Sequence, residues 1–173
     1  RTPTNAAFDY GTGDFTVECW FNLSAKTAGQ APIAQLPSQS NGAWRLSTQD
    51  FSGNDKVQLV VNVSGTWNTV LDISQTWNIG TWYHLALSRS GSTLKAFVNG
   101  TQVGSATFSS QFGGSTYATD IGYLVVDNVY FTGYVSNVRT VKGTAVYTAA
   151  FTPSTTPLTA VSGTSLLTCQ SNR

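Results

Sequence analysis

One segment, residues 81–100, constrains the fold of this chain more than any other part of its sequence. Residues 82–88 place side chains alternately on two faces, which is the period of a β-strand, and both faces carry bulky groups. A strand of that kind lies in the middle of a sandwich rather than at an edge. Gly91 marks a turn into a second alternating strand, residues 94–98. Asn99-Gly100 then predicts a two-residue type I′ hairpin, because both residues tolerate a positive φ.

The rest of the chain repeats this pattern of short strands and turns rich in Gly, Asn and Ser, and no segment has the periodicity of a helix. The predicted strands are residues 14–23, 31–36, 43–48, 57–63, 66–73, 82–88, 94–98, 101–108, 118–126, 130–139 and 166–169. Many short strands at this spacing are typical of a sandwich or a jelly roll. We therefore predict an all-β protein, an antiparallel two-sheet jelly-roll sandwich that occupies residues 1–173 as a single domain.

Composition argues against several classes of partner. Only 10% of the residues are charged and the net charge is +1, so electrostatics give no reason to expect binding to nucleic acid or to a membrane. No apolar run approaches the roughly 20 residues that cross a bilayer. The chain opens at Arg1 and contains no Met. We therefore expect it to be part of a longer polypeptide, so that missing targeting signals carry no information.

Two cysteines, Cys19 and Cys169, lie near the two ends of the chain. The first and last strands of a sandwich often lie side by side, so a disulfide between these residues is possible. The alternative is two free cysteines buried in strands. We favour this alternative, because the sequence does not supply the Cα distance on which a bridge depends.

Several motifs occur in an order that one known family shares. Thr81-Trp-Tyr-His-Leu-Ala-Leu87 opens the central hairpin, and Phe15-Thr-Val-Glu-Cys-Trp-Phe21 lies in the first long strand. Ile121-Gly-Tyr123 and Phe131-Thr-Gly-Tyr-Val-Ser-Asn-Val-Arg139 follow later. These motifs resemble those of laminin G-like jelly rolls, which belong to the concanavalin A-like lectin and glucanase superfamily. The resemblance covers most of the chain and implies the same fold.

Two further segments resemble a particular version of this domain. They are Lys142-Gly-Thr-Ala-Val-Tyr-Thr-Ala-Ala-Phe-Thr-Pro153 and the ending Leu166-Leu-Thr-Cys-Gln-Ser-Asn172. Both are similar to the domain found in tail and surface proteins of bacteriophages. This resemblance implies a location on a virion surface or outside the cell, in an oligomeric assembly with other virion proteins.

The residues argue against catalysis. The glucanases of the superfamily carry Glu-x-Asp-x-x-Glu on one strand, and a glycosidase needs two carboxyl groups beside the scissile bond. This chain has a single glutamate, Glu18, followed by Cys19 and Trp20, so the motif is absent. The one histidine, His84, shares a strand face with Trp82, and we expect it to be a satisfied core or inter-sheet side chain. We therefore expect that the protein is not an enzyme.

Calcium is the one cofactor for which the sequence offers candidates. It binds six to eight oxygen ligands from carboxylates and carbonyls on loops. Asp120, Asp127 and Asn128 bracket one predicted hairpin, and relatives often hold calcium at such a rim. However, Ser136-Asn137 stands where relatives often have an acidic pair, and Asp127-Asn128 is a sufficient tight turn by itself. We therefore favour a turn over a metal site.

Sugar recognition needs an exposed aromatic ring that stacks on a pyranose and polar groups that bind its hydroxyls. The candidates, all near predicted turns, are Trp67, Asn68, Trp77, Asn78, Tyr123, Asp127, Asn128 and Tyr130. Tryptophan is usually mostly buried, so a place in the core or an interface is the favoured alternative for Trp67 and Trp77. Trp20, Trp44 and Trp82 lie within alternating strands, and we expect them in the core.

Together these expectations indicate a non-catalytic module on a virion or cell surface that recognises a glycan or a host-surface polysaccharide, as on a phage tail fibre or appendage. The alternative is a purely structural virion protein, a capsid decoration or a fibre or tail component, that contacts only other proteins. A lectin should present an exposed Trp or Tyr beside Asn or Asp. A structural module should instead bury a flat apolar surface against a partner.

Overall fold

The computed structural model describes residues 1–37 and 40–170, in which the regular elements are β-strands and one short 3₁₀ turn, Ala6–Phe8. The strands in chain order are β1 (Asp9–Gly11), β2 (Phe15–Leu23), β3 (Ile33–Gln35), β4 (Trp44–Gln49), β5 (Asp55–Val63), β6 (Thr66–Ser74), β7 (Trp82–Ser90), β8 (Thr93–Val98), β9 (Thr101–Thr107), β10 (Phe112–Gly113), β11 (Asp120–Ile121), β12 (Tyr123–Leu124), β13 (Val129–Tyr130), β14 (Gly133–Lys142) and β15 (Thr164–Thr168). The last residues of the phage-like ending, 171 and 172, lie outside the described part of the chain. Within the described part, no helix is long and apolar enough to cross a membrane.

Two antiparallel sheets pack against each other. One has six strands in the order β15-β14-β2-β7-β8-β9, and the other has five strands in the order β11-β3-β4-β5-β6. The remaining strands form two short two-stranded ribbons, β1–β10 and β12–β13. This arrangement confirms the predicted all-β, antiparallel two-sheet jelly-roll sandwich. It also confirms that β7 is a central strand, because β2 and β8 pair with its two sides.

The core lies between the two sheets and follows from strict alternation along the strands. In β2, Phe15, Val17, Cys19, Phe21 and Leu23 are all fully buried and belong to one apolar cluster with side chains of the five-stranded sheet. Burial of each large apolar side chain contributes about 1.5–3 kcal/mol. The side chains between them point to the opposite, outer face of the six-stranded sheet. That outer face carries the features described below.

The turn at Asn99-Gly100 has the predicted geometry. Val98 pairs with Thr101, and the two residues between them have φ angles of 49° and 78°. Two consecutive positive φ angles define the type I′ turn, which glycine and asparagine adopt most readily. The tip of this hairpin also serves as an anchor for a distant part of the chain.

The predicted strand 118–126 is reduced to two short strands in the structure, and the predicted strand 130–139 is divided into β13 and a β14 that extends to Lys142. Gly122 has a φ of 70°, and this conformation turns the chain between β11 and β12. β11 therefore pairs with β3 at the edge of the five-stranded sheet, whereas β12 pairs only with β13. The prediction missed this break because a Gly inside an apolar run does not reveal the sign of its φ angle.

The structure contradicts the possible disulfide between Cys19 and Cys169, because both cysteines are free. β14 lies between β2 and β15, so the two strands are not neighbours. Two strand spacings amount to about 9.6 Å, which is beyond the Cα separation that a disulfide can bridge. Cys19 also points into the core, whereas Cys169 is exposed.

Residues 143–161, here termed the strap, cross the outer face of the six-stranded sheet without regular secondary structure. On the way out, the Lys95 ammonium group donates a hydrogen bond to the Thr148 carbonyl oxygen at 2.7 Å. The strap reverses at the β8–β9 hairpin, where the Phe151 amide donates to the Gly100 carbonyl oxygen at 3.0 Å. It then returns to β14 and continues into β15. The strap therefore covers one region of the outer face of the six-stranded sheet and leaves one end of that face open.

Candidate functional site

A cleft lies on the outer face of the five-stranded sheet, between β4, β6 and the β12–β13 turn. It has a volume of about 330 Å³ and is lined by Leu36, Arg45, Phe51, Val60, Trp67, Val126 and Asp127. Arg45 points into it because its neighbours on β4, Trp44 and Leu46, are buried in the core. The Trp67 side chain is 37% exposed, so part of its ring is open to solvent.

Arg45 is the charged centre of this cleft. Its Nη1 atom lies 3.6 Å from the Asp127 Oδ2 atom, and its guanidinium carbon lies 4.2 Å from the centre of the Phe51 ring. Burial lowers the pKa of Arg45, although the Asp127 carboxylate acts in the opposite direction. The Nε atom is buried and has no hydrogen-bond partner among the described residues. The guanidinium group thus has only part of its hydrogen-bonding capacity in use.

A second aromatic feature adjoins Asp127 on the β12–β13 ribbon. The rings of Tyr123 and Tyr130 stack with their centres 4.5 Å apart, and the Tyr123 hydroxyl donates to the Asn128 Oδ1 atom at 3.1 Å. Asn128 has a φ of 52°, which fits the tight turn expected at this position. Tyr130 is largely exposed. The structure therefore places Trp67 and Asp127 in one cleft, with the other three candidates on the adjoining ribbon.

The remaining sugar-binding candidates lie elsewhere. Trp77 is only 1% exposed, and its Nε1 atom donates to the carbonyl oxygens of Thr48 and Lys56 at 2.8 and 3.2 Å. It is a core residue, so its ring offers no surface to a ligand. Asn78 is exposed beside it. Asn68 lines a different groove, because it follows Trp67 directly and strand neighbours point to opposite faces.

The three calcium candidates have protein partners. The Asp120 Oδ1 atom lies 3.2 Å from the Arg1 Nε atom, and burial raises the pKa of Asp120. Asp127 faces Arg45, and Asn128 accepts from Tyr123. Across the described residues, no three His, Cys, Asp or Glu side chains come together as a metal site would require. Both carboxylate oxygens of Asp120 are nevertheless buried without a hydrogen-bond partner among the described residues, so calcium binding stays an untested prediction.

Sequence reasoning misplaced Trp20 and Trp82, which are not core residues. Trp82 is 39% exposed, Trp20 is half-buried, and both line a pocket on the outer face of the six-stranded sheet. The alternation contained the signal, since Cys19, Phe21 and Tyr83 occupy the core face on either side of these tryptophans. Trp44 is fully buried, as predicted.

Glu18 lies on the same outer face but is sealed beneath the strap. His84 Nε2 lies 3.0 Å from Glu18 Oε2, Arg139 Nε donates to Oε1 at 2.7 Å, and the Tyr147 hydroxyl donates to Oε2 at 2.8 Å. Burial alone would raise the pKa of Glu18, but the hydrogen bond from His84 and the charge of Arg139 lower it overall. His84 is buried, as expected, but it lies outside the core and is only partly satisfied, because its Nδ1 atom has no hydrogen-bond partner among the described residues.

Residues 1–154 match the laminin G-like family model described as the concanavalin A-like lectin/glucanases superfamily, and the chain belongs to this family. No curated protein matches the sequence.

Three solved structures illustrate the likeness. Domain 4 of an extracellular arabinanase from Geobacillus stearothermophilus, in complex with arabinotriose, is 21% identical with a TM-score of 0.61, over 82% of this chain and 65% of that chain. A putative carbohydrate binding protein from Bacteroides ovatus is 17% identical with a TM-score of 0.63, over 92% of this chain and 46% of that chain. The enzymatically active domain of tailspike protein 2 from bacteriophage CBA120 is 12% identical with a TM-score of 0.52, over 82% of this chain and 23% of that chain. At these identities the likeness shows the fold, and the chain spans less than two thirds of each of these chains.

Proposed function

We propose that this chain is a non-catalytic carbohydrate-binding module that recognises a glycan or a host-surface polysaccharide from the surface of a virion or a cell. The observation that carries the proposal is the half-open Trp67 ring beside the Arg45–Asp127 pair in one cleft. Two of the similar structures, the arabinanase domain bound to arabinotriose and the Bacteroides ovatus protein, bear carbohydrate-related descriptions and support this class of ligand.

The chemistry of the cleft suits a sugar. An indole face presents apolar surface to the C–H side of a pyranose, while carboxylate and guanidinium groups bind its hydroxyls with charge-assisted hydrogen bonds. A volume of about 330 Å³ falls at the lower end of the range for ligand pockets. The exposed ring of Tyr130 on the adjoining ribbon would extend the contact to a second sugar unit.

The absence of catalysis is part of the proposal. Glycoside hydrolysis requires a carboxyl group on each side of the scissile bond. Glu18 is closed off from solvent and holds three protein donors, so it has no access to a substrate. In the cleft, Asp127 is the one carboxylate among the lining residues.

A structural role in a virion is the second candidate function. Phe51, Val126 and Tyr130 form exposed apolar surface around the same cleft, and another virion protein in an oligomeric assembly could cover them. The similarity to a bacteriophage tailspike domain agrees with such a setting. Under this alternative the aromatic side chains bind protein and no glycan.

Replacement of Trp67 by Ala distinguishes the two. We expect Trp67→Ala to weaken binding of the recognised glycan by about tenfold or more, because the stacking surface is lost. The measurement is a glycan-array screen of the wild-type chain, followed by calorimetric titration of the best ligand. Ile79→Ala is the matched control, since Ile79 is also a large exposed apolar residue but lines none of the pockets described here.

Two results would contradict the proposal. One is a wild-type chain that is folded by circular dichroism and binds no glycan on the array. The other is a Trp67→Ala variant that binds as tightly as the Ile79→Ala control. Either result would favour the structural alternative.

A further inference from the structure

We propose that the chain has a second glycan-binding site, for a neutral oligosaccharide, at the open end of the outer face of the six-stranded sheet. Trp20, Trp82 and Tyr134 form this site, here termed the aromatic platform. It lies on the opposite side of the sandwich from the Trp67 cleft. The inference goes beyond the function proposed above, and it makes the module bivalent.

Strand register brings the platform together. Tyr134 on β14 pairs with Asn22 on β2, and Asn22 pairs with Trp82 on β7, so these three residues form one row across three strands. Trp20 belongs to the next row, two residues along β2. Tyr134 and Trp82 are thus separated by two strand spacings, about 9.6 Å, which is enough to engage more than one sugar unit. Tyr134 is 65% exposed and Trp82 is 39% exposed.

The strap turns part of this flat surface into a pocket of about 340 Å³. Its return leg supplies one wall, with Thr155 and Pro157, while the two tryptophans line the floor. Trp20 is held in place, because its Nε1 atom donates to the Ser154 carbonyl oxygen at 3.1 Å and its ring packs edge-on against His84. A pre-positioned ring loses little conformational entropy when a ligand binds.

Side-chain amides provide the polar half of the site. Asn22 is only 7% exposed and stands in register with Trp82 on one side and Tyr134 on the other. A ligand hydroxyl between these two aromatic side chains could bind its amide. Asn137 and Gln170 line the pocket beside them. Amide groups beside aromatic rings favour a ligand that carries hydroxyl groups over a purely apolar one.

The charge of the surroundings selects a neutral ligand. The residues that line this pocket are Trp20, Trp82, Ser136, Asn137, Thr155, Pro157 and Gln170, and none of them is charged. Among the described residues, the lining therefore offers no cation to an acidic sugar or a phosphate. The Trp67 cleft differs, since it contains Arg45 and Asp127. The two sites should consequently prefer different glycans, or different parts of one polysaccharide.

The test uses the indole N–H signals of the five tryptophans in the ¹⁵N-labelled chain. Xylohexaose, cellohexaose and mannohexaose are added separately at millimolar concentration, and the signals are assigned with single Trp variants. We expect at least one hexasaccharide to shift the Trp20 and Trp82 signals, while the signals of buried Trp44 and Trp77 stay unchanged. Tyr134→Ala, which removes an exposed ring, should weaken this response about tenfold.

The Trp67 signal reports the first site separately, so the failure of one site is distinguishable from the failure of the other. The inference is overturned if no hexasaccharide moves the Trp20 and Trp82 signals, or if Tyr134→Ala leaves their titration curves unchanged. Sedimentation of the wild-type chain and of Trp82→Ala gives a further check. If the wild type is a dimer and the variant a monomer, the platform is an interface between copies and the inference is wrong.

Discussion

Replacement of Glu18 by Ala is expected to lower the free energy of unfolding by about 3–5 kcal/mol, because it leaves the buried guanidinium group of Arg139 without its counter-charge. Glu18 accepts from Arg139, His84 and Tyr147, and the strap excludes water from all of these contacts. Urea denaturation followed by tryptophan fluorescence measures the change. The variant should also loosen the strap, since Tyr147 is one of its residues.

A double variant serves as the control. Replacement of a buried ion pair by apolar residues is often close to neutral, whereas removal of one partner is not. Glu18→Leu/Arg139→Leu should therefore be less destabilised than the sum of the two single variants. Strict additivity of the two effects would show that Glu18 and Arg139 do not interact, contrary to the 2.7 Å hydrogen bond between them.

The same cluster predicts a dependence of stability on pH. The pKa of Glu18 is lowered in the folded state from its ordinary value of 4.5, so the folded chain holds the carboxylate form more strongly than the unfolded chain does. This contribution is complete above pH 4.5 and is lost as the pH falls through the lower pKa of the folded state. Glu18→Gln should lack this component of the acid-induced loss of stability. An identical pH profile for wild type and variant would contradict the assignment.

Replacement of Gly100 by Ala is expected to have the second large effect, a loss of about 3 kcal/mol in the free energy of unfolding, which combines backbone strain with a steric clash. Gly100 has a φ of 78°, and a Cβ atom there would overlap the Phe151 carbonyl oxygen. The hairpin tip and the strap would have to separate. Hydrogen exchange should then show loss of protection at the Phe151 amide, which donates to Gly100.

Gly91→Ala is the matched control for this prediction. Gly91 also has a positive φ, 56°, in the neighbouring hairpin, but a Cβ atom there would meet nothing within 4 Å. The free energy of unfolding of this variant should fall by only about 1–2 kcal/mol, because the substitution adds left-handed backbone strain and no steric clash. If the two variants are equally destabilised, the contact between the strap and the hairpin contributes nothing, and the role given to Gly100 is wrong.

The local parts of the fold could be predicted from the sequence. Alternation of side chains located most of the long strands, and Asn99-Gly100 gave the turn type, because both signals depend only on residues close in the chain. The boundaries failed where one glycine decides the path, as at Gly122. Of the candidate site residues, Trp67 and Asp127 do share a cleft, whereas Trp77 belongs to the core, and nothing local distinguishes these two tryptophans.

The sequence by itself determined the class of fold. Its single glutamate also argues against glycosidase chemistry without any knowledge of the structure. Only the tertiary structure decided which face of each strand is covered. Cys19 and Cys169 stay apart because β14 lies between their strands. Trp82 and part of Trp20 stay open to solvent because the strap borders their pocket without covering it. The physical reason is that strand order and the path of the strap depend on pairings between residues more than a hundred positions apart, such as Glu18 with Arg139.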